Sequence, residues 1–170
     1  MHRLWAPWRA EYVEAAAEAT GGGEAEGNAC FLCDYGEPGA DNERHILRRW
    51  SHWYAVLNAY PYTNGHLMLV LARHRESFCD LNVEEAAELA GALASCERAL
   101  RAAYEPHGIN CGVNMGRAAG AGAAGHLHVH LLPRWQGDTN FMSSVADTRV
   151  VPESLESSFQ RLQQAWGKSP

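Results

Sequence analysis

Two spacings of apolar residues run through this chain. The first has a period of two. In His126-Leu127-His128-Val129-His130-Leu131-Leu132, histidine alternates with aliphatic residues. Strand side chains point alternately to opposite faces, so His126, His128 and His130 share one face while Leu127, Val129 and Leu131 share the other. Shorter runs rich in residues that suit a pleated, half-buried surface cover 44–49, 52–58, 66–71 and 109–115. With 126–132 they predict five strands. The second spacing is three and four: Ala86, Leu89, Ala90, Leu93, Ala94, Leu100 and Ala103 predict an amphipathic helix over Val83–Tyr104. Asn82 is its N-cap, Glu85 the capping-box partner, and Pro106 stops it. Leu155, Phe159, Leu162 and Trp166 predict a second helix from Pro152 to Trp166 that packs by one stripe.

Segments without either rhythm carry the other signals. Residues 1–13 hold Trp5 and Trp8 around Pro7 and read as an arm that docks its indoles. Residues 14–28 are mostly Ala, Glu and Gly and read as a flexible loop. Cys30-Phe31-Leu32-Cys33 follows in a loop-like context, and its spacing suits half of a zinc site better than a redox pair, with unmetallated thiols as the bland alternative. A tetrahedral site needs two more ligands, which His74 or one of the strand histidines can supply. Ala59 to Gly65 carry the turn chemistry of a reversal that leaves His66 at the mouth of a strand. From Gly116 to Gly125 nothing larger than alanine follows Arg117, so the N–H groups around Gly120, Gly122 and Gly125 are free to approach phosphate oxygens closely. Beyond the histidines, Arg134 to Phe141, including Asn140, offer polar groups and two aromatics to flank a base or sugar.

At 170 residues the chain is expected to be a single domain, 1–170. A net charge of -6 provides no basic field for a nucleic-acid polymer. No apolar run is long enough to span a membrane and the first residues lack a signal-peptide core, which gives a cytoplasmic expectation. Five cysteines, an odd number, argue against a disulfide framework.

Three imidazoles on one strand face start roughly 6.6 Å apart, close enough to share one substrate or one metal ion. An imidazole is substantially neutral at pH 7 and is a competent nucleophile at phosphorus. The run His126-Leu127-His128-Val129-His130-Leu131-Leu132 resembles the signature of the histidine triad family. The resemblance extends through LWAPWR, the CxxC of Cys30 and Cys33, LNAYPYTNGH from Leu57 to His66, Arg73-His74, and GHLHVHLLPRWQGDTNFM from Gly125 to Met142. These flanks look most like the bacterial diadenosine tetraphosphate phosphorylase branch.

That resemblance implies an α+β fold, a five-stranded antiparallel sheet with two main helices, usually paired as a homodimer. The chain also holds more large indoles than one small domain easily covers, which makes Trp5, Trp8 and Trp166 the expected interface residues. It implies His128 as nucleophile, His130, His66 and Asn114 on phosphate oxygens, Asn58 near the ribose, and Cys30, Cys33, His74 and His126 as ligands of a structural zinc. The activity implied is nucleotidyl transfer from a dinucleoside polyphosphate through a nucleotidyl-histidine, with orthophosphate as acceptor. One departure stands out: many hydrolase members carry Gly-Gln-Ser/Thr-Val-x-His before the triad, and this chain has Gly-Ala-Gly-Ala-Ala-Gly-His. The rival readings are a dinucleoside polyphosphate or phosphoramidate hydrolase, and a metal-binding or nucleotide-binding module without turnover, in which His126, His128 and His130 ligate one ion.

Overall fold

The computed structural model describes residues 30–138 and 153–167. The expected arm with Trp5 and Trp8, the 14–28 loop and Asn140 lie outside these. Five strands, β1 (Ile46–Arg49), β2 (Trp53–Leu57), β3 (Leu67–Leu71), β4 (Gly108–Gly112) and β5 (His128–Arg134), form one sheet in the order β1-β2-β3-β5-β4. Every neighbouring pair is antiparallel. The α+β expectation holds.

Alternation sorts the side chains of the central strands onto two faces. One face presents Trp53, Ala55, Leu57, Leu67, Leu69, Leu71, Val129 and Leu131, all buried in the main core. Helices α2 (Val83–Tyr104) and α3 (Leu155–Gly167) cover it. The other face presents Tyr54, Val56, Met68 and Val70, which cluster with Leu32 and Ile46. Strands β2 and β3 are therefore buried on both sides, which is why they read as continuous apolar runs.

Asn82 caps α2 as expected, accepting from the Glu85 N–H while the Glu85 carboxylate accepts from the Asn82 N–H. The buried side of α2 is Ala92, Cys96, Ala99 and Leu100, with Leu89, Leu93 and Ala103 partly buried; Ala86 and Ala90 face solvent instead. Alanine at those two positions marks helix propensity, not the core stripe. Trp166, expected at a subunit interface, belongs to the core: it packs on Trp50 and donates to Ser95 Oγ at 3.0 Å.

Two local departures bear on function. The CxxC does not sit in a loop: Cys30 caps a short helix, α1 (Phe31–Gly36). Its last carbonyls are held by arginines, Arg49 on Tyr35, Gly36 and Glu37, and Arg44 on Asp34 and Glu37. Also, β5 begins at His128 and not at His126. The β3 partner of His128 is Val70, one residue from the end of that strand, so the ladder ends there and His126 lies in a bend.

Candidate functional site

His66, His128 and His130 meet on the face opposite the helices. In the β3–β5 ladder His128 faces Val70 and His130 faces Met68, so both imidazoles stand on the small-cluster side of the sheet. His66 precedes β3 and is completely buried. Its place is fixed because Asn58 N–H donates to its carbonyl at 3.0 Å and its own N–H donates to Thr63 at 3.2 Å. The turn that delivers it needs Gly65: φ is +70°, and a Cβ would stand 2.4 Å from the Tyr104 ring of α2.

Hydrogen bonds assign the protons on this pair. Tyr62 N–H points to His66 Nδ1 at 3.2 Å, and an N–H can only donate, so Nδ1 accepts and the His66 proton sits on Nε2. That Nε2–H donates to His130 Nδ1 at 3.0 Å, leaving the His130 proton on Nε2. Both rings are neutral in this arrangement. Burial, and secondarily the neighbouring His128, push His130 down to a pKa of about 4, in keeping with a neutral ring.

His128 is locked differently. Its Nδ1–H donates to the carbonyl of His126 at 2.7 Å, so in the neutral ring the lone pair lies on Nε2. The ring is 4% exposed and stands edge-on to His130 with centroids 4.9 Å apart. A buried imidazole with one nitrogen tied to a backbone carbonyl and the other bare is oriented for nucleophilic attack.

His126 turns away from this pair. Its Nε2–H donates to the Leu71 carbonyl at 2.6 Å, so Nδ1 is the free donor atom, and it lies 3.3 Å from Cys30 Sγ and 3.5 Å from Cys33 Sγ. His74 Nδ1 is 3.3 Å from Cys33 Sγ. Among the described residues, Cys30, Cys33, His74 and His126 are the one group of three or more such ligands, with ligand atoms all within 4.8 Å of one another. Zinc–sulfur and zinc–nitrogen bonds of about 2.3 and 2.0 Å in a tetrahedron place S and N about 3.5 Å apart, so the four residues fit zinc. Thiolates alone are a poor arrangement here: burial first, then Cys30, push the Cys33 thiol up to about 11, an opposition to ionisation that a bound dication relieves.

The expected row of three equivalent histidines thus divides, His126 with the cysteines and His128 and His130 with His66. The tri-histidine metal reading loses its geometry, since both ring nitrogens of His126 are engaged elsewhere, Nε2 by the Leu71 carbonyl and Nδ1 by the cysteines. Asn58 sits beside His66, its Oδ1 accepting from Tyr60 N–H at 2.9 Å. Asn114 reaches the Gly120 carbonyl at 3.5 Å, and Gly120 takes the left-handed conformation expected of a small-residue cradle. Gly122 is exposed in the same loop. Gly125 lies against His74, nearer the metal cluster than the phosphate cradle expected of it. Tyr62, missed in the sequence, lies over His66 and His130 with centroids 4.8 and 6.3 Å away. An aromatic in a turn four residues before a functional histidine was the available signal.

The fold and site define an α+β protein in which the start of one strand serves both a buried imidazole group and a Cys2His2 cluster. The chain belongs to the HIT domain family, which matches residues 40–137. An AP-4-A phosphorylase of Mycobacterium tuberculosis is 37% identical over 170 residues, 100% of this chain and 87% of the relative. A solved Zn-bound histidine triad family protein from Mycobacterium smegmatis is 25% identical, with a TM-score of 0.65 over 82% of this chain and 94% of that one. A uridylyltransferase structure shares the fold, at 21% identity and a TM-score of 0.68, covering 95% of this chain and 51% of that chain.

Proposed function

We propose that the chain is a nucleotidyltransferase that splits dinucleoside polyphosphates by phosphorolysis, converting diadenosine tetraphosphate and orthophosphate to ADP and ATP. The observation that carries this reading is the 2.7 Å bond from His128 Nδ1–H to the His126 carbonyl, which puts the lone pair of the neutral ring on Nε2, beside His66 and His130. The phosphorylase relative over the full chain supports the acceptor.

His128 Nε2 attacks the α-phosphorus of one nucleotide, the bond from that phosphorus to the bridging oxygen breaks, and ATP leaves. The nucleotidyl-imidazolium is positive, and the His126 carbonyl stabilises its Nδ1–H. An orthophosphate oxygen then attacks the same phosphorus, the P–N bond returns its electron pair to Nε2, and ADP leaves. His130 Nε2–H, positioned by His66, donates to the equatorial oxygens together with Asn114 and the N–H groups of the loop around Gly120 and Gly122. Asn58 holds the ribose. Cys30, Cys33, His74 and His126 would hold a zinc ion, which would supply structure by tying α1 to the bend before β5.

The test is product identity after incubation with diadenosine tetraphosphate with and without orthophosphate. ADP and ATP are expected only with phosphate; AMP and ATP at equal rates in both would make the chain a hydrolase. We further propose a cytoplasmic homodimer, and the expected outcome of light scattering at micromolar concentration is twice the chain mass. A monomer mass counts against it.

A further inference from the structure

The loop between β4 and β5 crosses the histidine-bearing face. It leaves β4 at Gly112, the register partner of His130, is tied across itself by Asn114 to Gly120, lays Ala123 on the cluster that holds Met68 and Val70, and ends with Gly125 against His74. At its His130 end, Arg117 opens a 3-10 turn (Arg117–Ala119). It is the only Asp, Glu, Lys or Arg between Pro106 and Pro133. Its side chain is exposed and, among the described residues, its guanidinium has no ion pair or hydrogen-bond partner. Other arginines near this face are committed, Arg49 to Asp41 and carbonyls of α1, Arg73 to Glu85, and Arg44 to carbonyls of α1.

Against this stands a site short of positive charge. The relay from Tyr62 through His66 to His130 keeps both imidazoles neutral, so they offer hydrogen bonds without a formal cation. The loop's small residues offer N–H groups only. A polyphosphate anion calls for a fixed positive charge, and arginine's planar fork suits phosphate oxygens.

We infer that Arg117 is the specificity residue for the anionic acceptor, holding the terminal phosphate of the departing ATP and then the incoming orthophosphate. The inference rests on the proposed two-step transfer. In each step the group opposite His128 Nε2 lies in line with the P–N bond, so the leaving phosphate and the attacking phosphate use one subsite in turn. A cation there concentrates a dianion and gives water no comparable advantage. Arg117 thereby directs the nucleotidyl-histidine to ADP and not to AMP.

The test follows the ADP-to-AMP ratio against orthophosphate concentration, with diadenosine tetraphosphate as substrate, for the wild type, Arg117→Gln and Arg117→Lys. The glutamine variant is expected to need at least about tenfold more phosphate for half-maximal ADP formation, the scale of a lost charge-assisted hydrogen bond, and to release more AMP. The lysine variant should recover part of the ADP yield, with melting temperatures unchanged across all three. A glutamine variant with the wild-type phosphate dependence and product ratio overturns the assignment, as does a uniform fall in rate at constant ratio. Wild-type protein that makes no ADP at any phosphate concentration instead defeats phosphorolysis itself, which separates the two failures.

Discussion

Replacing His128 with alanine is expected to lower turnover of diadenosine tetraphosphate by on the order of 10^4-fold or more, with substrate affinity nearly unchanged. The asymmetry follows from the division of labour among the imidazoles. His128 is the ring with its Nδ1–H on a backbone carbonyl and its Nε2 bare, whereas His130 receives a proton-bearing nitrogen from His66 and presents only a donor. Removing His128 deletes the atom that bonds to phosphorus and leaves the phosphate donors in place. His130→Ala weakens those donors and should cost less. The decisive measurement is retention of labelled nucleotide on protein quenched in phosphate-free buffer: wild type should hold about one acid-labile nucleotide per chain. A His128→Ala protein that still takes up label stoichiometrically defeats the assignment.

Cys33→Ala is expected to cost on the order of 3 kcal/mol of stability, or roughly 6–12 °C in melting temperature for a domain of this size. Cys33 faces both His74 and His126, so its loss removes a ligand from the centre of the cluster. Chelator should lower the melting temperature of the wild type toward that of the variant and leave the variant unmoved. Activity should fall as well, because the residue that presents Nδ1 to the cysteines also presents the carbonyl that orients His128. Protein prepared without chelator that contains no zinc, with a variant melting at the wild-type temperature, would remove the metal from the account.

Much of this architecture is written in local patterns, and the exceptions have physical causes. The alternation around His128 and the capping box of Asn82 and Glu85 are short-range signals, and both survive in the fold. The helix that carries the CxxC escapes such reading. Six residues make under two turns, too few for a periodic stripe, and its last carbonyls are satisfied by Arg44 and Arg49. The separation of His126 from the other two histidines depends on where a distant strand stops: Leu71 ends β3, and its carbonyl captures His126 across 55 positions of sequence. The His66–His130 bond spans 64 positions and has no local trace. Trp166 looked too large for a small domain to cover, yet Trp50 and Ser95 give its ring and its N–H partners in the core.

The contact between Gly65 and Tyr104 constrains how this sequence can drift. One small volume serves two positions 39 residues apart, as subtraction of 65 from 104 gives, and a methyl group at the first collides with the ring of the second. The same ring donates its hydroxyl to Glu153 at 2.8 Å and lies under the Arg161 guanidinium, so it cannot shift aside without disturbing the carboxyl-terminal helix. Substitutions at 65, 104, 153 and 161 are therefore acceptable in matched sets sooner than singly. A helix that contributes no group to the chemistry is in this way bound to the evolutionary fate of the turn that delivers His66.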